Sequence, residues 1–369
     1  MSVINYYNKE TKTLTIPYIF NEELKDIPEE TEIIIFNQNL VKYEYSKFNK
    51  SVDNLPKNIT HLTFGSSFNQ SVNKLPETLT HLTFGKNFNQ PSDNLPKNLT
   101  HLTFGSSFKQ KVDNLPESLT HLTFGIEFNR EVDNLPKNLS DLTFGIEFNR
   151  EVNNLPESLT HLTFGVYFNQ SVNNLPDTLT HLTFGCCFNQ SVDNLPKNLI
   201  DLYFDENFNQ SVDNLPKNLT YLSFGLKFNQ PVDNLPENLT HLTFGERFNN
   251  SVDNLPKKLT HLIFGGVFNQ PVNNLPETLT FLSIGYNFQN NIIIPKNCKT
   301  LSLTHNNELI QNLPEHIEKL YIDKYLTFSY TNNYIDNLPI TIKEIIVPDE
   351  FTKTLLKNIP FGTLVSVEK

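Results

Sequence analysis

Phe68–Asn87 reads FNQSVNKLPETLTHLTFGKN, and the reading of these twenty residues decides the fold. The same pattern restarts at Phe88. Twelve units of this length run from Phe48 to Asn287 without insertion or deletion, covering 240 of 369 residues. A period of twenty is far from that of a helix or a strand, so each unit is one full turn of a solenoid. In the turn around Leu62 the apolar positions are Leu55, Ile59, Leu62, Phe64, Phe68 and Val72. Leu62 and Phe64 lie two apart with Thr63 between them, the alternation of a strand, so both point inward while His61 and Thr63 point out. Gly65 ends the strand. Leu55-Pro56 marks an extended corner, because proline restricts the residue before it and has no N–H to donate.

Composition follows from these columns. Of the 30 Phe, thirteen fall at Phe48 to Phe288 and eleven at Phe64 to Phe264, each every twenty residues; twelve of 22 Pro form the column Pro56 to Pro276. The chain has no Ala and 51 Asn, which argues against helix on the outer side of a turn. We therefore expect an all-β, leucine-rich-repeat-like solenoid with one long parallel sheet, about 16 turns, a 20-residue repeat and irregular caps. Residues 1–47 are expected to form an N-terminal β cap with a degenerate first turn. The twelve repeats fill 48–287, and 288–369 carry degenerate turns and a C-terminal cap, with a short helix running from an N-cap at Asp349 through Lys357. A lone turn buries too little to offset its ordering entropy, so neighbouring turns must stack.

Global numbers exclude several functions. Net charge is −11, which argues against nucleic acid or an anionic membrane as partner. No run approaches the apolar length needed to span a membrane, and the polar start MSVINYYNKE does not read as a signal peptide. Cys186, Cys187 and Cys298 make no disulfide framework. The expectation is an unsecreted, intracellular, cytoplasmic protein, in the host cytoplasm if the chain is viral.

Phe168 to Gly185 carries F-N-Q-x-V-x-x-L-P-x-x-L-x-x-L-x-F-G. This pattern resembles the FNIP (IP22) repeat, a leucine-rich-repeat relative of social amoebae and giant DNA viruses. Units in that family are commonly 22 residues long, two more than here. Some members also carry an F-box that recruits a ubiquitin ligase, and residues 1–47 do not read as its helical module. The resemblance implies a protein-binding scaffold. In leucine-rich repeats a buried Asn ladder satisfies backbone groups at the turn, a role assigned here to the Asn69 column. Its interruption at Lys109, and that of the Asn54 column at Lys74, imply looser turns there.

Outward columns hold the candidate chemistry. Eight histidines, among them His61, His81, His101, His121, His161 and His181, share one column, interrupted by Asp141, Asp201, Tyr221 and Phe281. A row of polar surface residues copied by duplication is one reading. A metal held by His121, Asp141 and His161 is another. No nucleophile, base and orienting group converge, so no catalysis and no cofactor are expected. A second column alternates Asp53, Asp93 and Asp113 with Asn, which points to capping of turn N–H groups or to cations. After proline the sequence reads Lys57, Glu77, Lys97, Glu117, opposite signs suggesting ion pairs between turns.

Variation concentrates just after the glycine column, where Ile126, Ile146, Val166, Tyr167 and Leu226 place apolar side chains on a polar rim. With the His/Asp column they form the candidate surface for a host or cellular protein partner. Self-assembly into a structural rod is the alternative. A further alternative is the substrate-binding part of a ubiquitin-ligase adaptor lacking its own F-box.

Overall fold

A computed structural model describes residues 3–37, 45–304, 308–323 and 334–368. Parts of both expected caps, 38–44 and 324–333, lie outside the described residues. The chain divides into two compact units, Met1–Gln190 and Ser191–Lys369.

The first unit opens with a 3-10 turn, Val3–Tyr6, and a two-residue strand, Tyr7–Asn8, antiparallel to Thr13–Ile16. From there the pairing is parallel: Thr13–Ile16 to Ile33–Phe36, then His61–Thr63, and one three-residue strand per repeat to His181–Thr183. Register is strict. His61 faces His81, Leu62 faces Leu82 and Thr63 faces Thr83. The three strand residues show the expected alternation, with the middle leucine buried and its neighbours half-buried.

The second unit repeats the plan from Asp201–Tyr203 through Phe281–Ile284. Longer strands follow at Thr300–Thr304, Lys319–Asp323, Glu344–Val347 and Leu364–Val367. The last of these was not anticipated, although Ile359-Pro360 carries the corner signal. Helix Glu350–Leu355 begins as expected, with the Asp349 carboxylate accepting from Thr352 N at 2.7 Å. It stops two residues before Lys357, because Leu356 turns extended and bridges to Ile335, with Lys357 N donating to Ile335 O at 2.7 Å.

Between strands each turn is closed by short backbone bonds instead of helix. Leu79 N donates to Pro76 O at 3.1 Å, and Phe88 N to Gly85 O at 3.3 Å. Leu62, Phe64, Phe68 and Val72 are buried; Leu55, in the first repeat, is half-buried where its successors Leu75 to Leu275 are buried. Phe64 stacks on Phe68 with centroids 3.7 Å apart, and on Phe84 of the next turn at 5.6 Å. Gly65 and its column have a steric cause. A Cβ on Gly145 would sit 1.8 Å from the carbonyl oxygen of Gly125, so these two turns approach more closely than a side chain at Gly145 allows.

Candidate functional site

On the first unit's sheet the outward column is a stack of imidazoles. Ring centroids of His61 and His81 lie 4.2 Å apart, those of His81 and His101 4.1 Å, and those of His101 and His121 4.1 Å. The threonine before each ring holds it in place. Thr80 Oγ1 lies 2.9 Å from His81 Nδ1 and 3.1 Å from Thr60 O. Thr100 and Thr120 make the same contacts with His101 and His121. Burial first, and then the neighbouring imidazoles, push His81 below the usual histidine range. Burial and His121 do the same to His101.

Asp141 ends this stack. Its carboxylate lies 3.4 Å from His121 Nε2 and 3.7 Å from His161 Nδ1, and His161 then stacks on His181 at 4.2 Å. The three side chains of the metal reading are thus neighbours, but they stand side by side along the ladder instead of converging on a point. His161 Nδ1 is already engaged by Thr160 Oγ1 at 2.9 Å. Among the described residues no group of three or more His, Cys, Asp or Glu side chains is placed to hold a metal ion.

The rim after the glycine column is a second ladder. Glu147 N donates to Ile126 O, Tyr167 N to Ile146 O (both 2.9 Å), and Cys187 N to Val166 O at 2.8 Å. Ile126, Ile146 and Val166 therefore lie one per turn in a row. Ile126 and Ile146 are exposed, Val166 is half-buried, and Tyr167 stands beside them 53% exposed. Lys109 Nζ pairs with Glu127 at 2.6 Å at one end of this row. His121, Asp141, His161, His181, Ile126, Ile146, Val166 and Tyr167 thus belong to one unit, whereas Asp201 and Leu226 belong to the other.

Several polar columns work differently from expectation. Among the described residues, carboxylates of the Asp column accept the side-chain amide of the next turn. Asn114 Nδ2 donates to Asp93 at 3.2 Å, Asn154 to Asp133 at 3.0 Å and Asn234 to Asp213 at 3.0 Å. Lys74 replaces an Asn as a donor, reaching Asp53 at 3.4 Å, so it does not loosen its turn. Lys109 keeps the rung from Asn89, its N–H reaching Oδ1 at 2.9 Å, and Phe108 N closes on Gly105 O at 3.3 Å like its counterparts, but its side chain offers no carbonyl to the turn after it. In the Lys/Glu column, Glu77 and Glu117 accept the backbone N–H of Lys97 and Lys137 at 3.1 Å instead of their ammonium groups. A carboxylate reaches the fixed N–H of the stacked turn without ordering a long lysine side chain.

The aromatic interruptions of the histidine column, Tyr221 and Phe281, belong to an aromatic run on the second unit's sheet that the sequence reading did not single out as a site. Tyr203 stacks on Tyr221 at 5.0 Å, Tyr221 on His241 at 5.2 Å, and His261 on Phe281 at 5.7 Å. Tyr221, His241, Leu242, Thr243, His261, Ile263 and Phe281 line a shallow pocket of about 350 Å³. The signal was present at outward strand positions, where Tyr203, Ile263 and Phe281 replace the usual Thr or His.

The FNIP Repeat family model matches eight segments, some of them overlapping, between residues 48 and 287. No curated protein matches the sequence. Among solved structures, the chain is similar to CroV588, a giant-virus protein described as a novel circular LRR protein. Identity is 33% over 96% of this chain, with TM-score 0.71, and the chain spans 65% of the length of CroV588. YopM from Yersinia enterocolitica WA-314 shares the fold at 17% identity and TM-score 0.61, over 99% of this chain and 93% of that one. No helix among the described residues is long and apolar enough to cross a membrane.

Proposed function

Because the chain belongs to the FNIP-repeat family, we propose that it is a non-catalytic scaffold that binds another protein through the rim of its first unit. Solenoids of the leucine-rich-repeat kind commonly bind proteins, since stacked turns offer an extended surface. The observation that carries the reading is the row Ile126, Ile146 and Val166 with exposed Tyr167 beside it, on a rim that is Ser, Lys, Glu or Asn in most other turns. Isolated apolar residues on a surface need no explanation; a row of them on successive turns, with an exposed tyrosine to anchor a contact, suits a protein interface. The carboxylates of Glu127 and Glu147 flank the row and suit a partner with apolar anchors and basic neighbours.

The test is the full chain as bait in cells that express it, followed by rebinding of each purified candidate. The Ile126→Asp, Ile146→Asp, Tyr167→Asp triple variant should weaken the true partner at least about tenfold, with an unchanged urea midpoint. Unchanged affinity in a folded triple variant would overturn the reading.

A further inference from the structure

The outward column on the second unit's sheet is not level. It runs Asp201, Tyr221, His241, His261 and Phe281, one residue per turn in strict register. The two imidazoles lie 4.3 Å apart, whereas Tyr221 to His241 is 5.2 Å and His261 to Phe281 is 5.7 Å, all near parallel. A ladder step is about 4.8 Å, so the larger rings reach roughly 2–3 Å further out than the imidazoles. Tyr221 and Phe281 therefore stand as end walls over a floor of His241 and His261. Ile263 forms a side wall beside Thr243, in a column that is threonine throughout the first unit from Thr63 to Thr183. Tyr203 stacks on the far side of Tyr221 at 5.0 Å and braces it. The trough so enclosed has a volume of about 350 Å³.

Its chemistry narrows the occupant. No Asp, Glu, Lys or Arg lines it. Nδ1 of His241 and of His261 each lies 3.0 Å from the preceding threonine hydroxyl, so Nε2 is the ring nitrogen left for a ligand. The part of an occupant inside the trough is thus uncharged, with apolar surface for two aromatic walls and polar groups for two imidazoles. A segment laid on this face meets no backbone ladder, because the strands beneath already pair with a neighbour on each side. Any N–H that it buries there goes unsatisfied. Proline has none to bury, and its carbonyls accept from the imidazole tautomer that carries its proton on Nε2. Dimensions agree. The walls are three ladder steps apart, about 14 Å, and two prolines three residues apart in a polyproline II helix span about 9 Å, which fits between the inner ring faces. One charge stands just beyond the trough, at Asp201, next to Tyr221 in the column.

We propose that this trough binds a proline-rich segment of a partner protein, in the polyproline II conformation and with a basic residue beside Asp201. Such segments are stiff before they bind and dock in aromatic-lined grooves with little ordering entropy to offset. The site belongs to the second unit and uses none of the rim residues Ile126, Ile146 and Tyr167, so it stands or falls separately from the rim interface.

Fluorescence anisotropy of labelled peptides with the full chain tests this. The probe is a polyproline peptide with arginine at both ends. A glycine-serine peptide of the same length and arginines controls for attraction to the acidic chain. The proline peptide should bind saturably, and the glycine-serine peptide at least about tenfold more weakly. Glutamate in place of both arginines should weaken the proline peptide, and Asp201→Asn should narrow that difference. The Tyr221→His, Ile263→Thr, Phe281→His triple variant carries the residues that the first unit has in these columns, so it should keep the parent's urea midpoint and lose at least about tenfold in affinity. No saturable binding up to millimolar peptide, equal binding of the glycine-serine peptide, equal binding of the arginine and glutamate forms, or full affinity in the folded triple variant would overturn the proposal. So would tighter binding of an amphipathic helical peptide of the same charge that the triple variant abolishes.

Discussion

The side-chain carbonyl of Asn69 accepts the backbone N–H of Asn89 at 2.9 Å, and the contact is renewed at Lys109, whose N–H reaches Asn89 Oδ1 at the same distance. Gln90 Nε2 adds a second donor to Asn69 Oδ1 at 3.2 Å. Each asparagine thus ties its own turn to the next through a backbone group that stacking leaves without a strand partner. Asn69→Leu keeps the size and removes the acceptor, leaving the Asn89 N–H without it in a half-buried site. We expect a loss of about 1–3 kcal/mol in urea unfolding. Lys109→Leu, which has no acceptor to lose and gives up only the exposed pair with Glu127, should cost no more than about 1 kcal/mol. Equal losses for the two variants would show that the ladder contributes nothing specific.

Gly145 offers a steric test of how closely the turns stack. A Cβ there meets the Gly125 carbonyl oxygen at 1.8 Å and its carbon at 2.4 Å, both backbone atoms. Neither can swing away as a side chain would, so Gly145→Ala must push two turns apart. A destabilisation of at least about 1–3 kcal/mol is expected from overpacking of this kind. A urea midpoint equal to that of the parent would mean that the turns lie further apart than described.

Thiol chemistry separates buried from surface turns. Cys298 is fully buried, and burial pushes its thiol up to about 11 despite the nearby Thr300 carbonyl. Cys186 and Cys187 are half-buried on the rim. Since thiolate is the reactive form, a maleimide or disulfide reagent at pH 7 should label the two rim thiols in the native chain and Cys298 only after denaturant is added. Mass spectrometry of the peptides reads this directly. Rapid native labelling of Cys298 would contradict its burial.

The core was legible in the sequence because its residues occur in columns with unmistakable chemistry. Leu62, Phe64 and Phe68 can satisfy a twenty-residue period only by pointing inward, and the family pattern sits on those same positions. Polar columns were harder, because a carboxylate can pair with an ammonium, a backbone N–H or an amide at similar cost. Asp93 takes the Asn114 amide and Glu77 the Lys97 N–H, choices fixed by the offset between stacked turns, which a single sequence does not display. The rim row and the Asp141 interruption of the histidines were visible as departures from the repeat. The last turn was missed for the opposite reason: Ile359-Pro360 keeps the corner, but Thr363 stands where earlier turns have Leu, Ile or Cys, so the apolar spacing fades.

Stacked imidazoles give the fold a pH dependence of definite sign. His81 and His101 in the first unit and His261 in the second are all held below the usual histidine value, in each case by burial first and neighbouring imidazoles second. The charges facing the first stack are the histidines themselves and Asp141, which acts in the opposite sense on His101. The unfolded chain binds protons near pH 6.5, and the folded one only at lower pH. Between those values unfolding takes up protons, so stability rises with pH; the full contribution is present above about 6.5 and is lost as pH falls through that window. Carboxylates lowered by their partners, such as Glu127 beside Lys109, lose their contribution only below about pH 4.5, so the two effects do not overlap. The urea midpoint should therefore fall between pH 7.5 and 5.5, and fall less in a His81→Gln, His101→Gln double variant. Asp141→Asn should act the other way. It removes the one carboxylate beside the stack, makes protonation costlier still, and steepens the loss. A midpoint that is flat over this range, or that falls equally in the double variant, would show that the ring stack does not resist protonation.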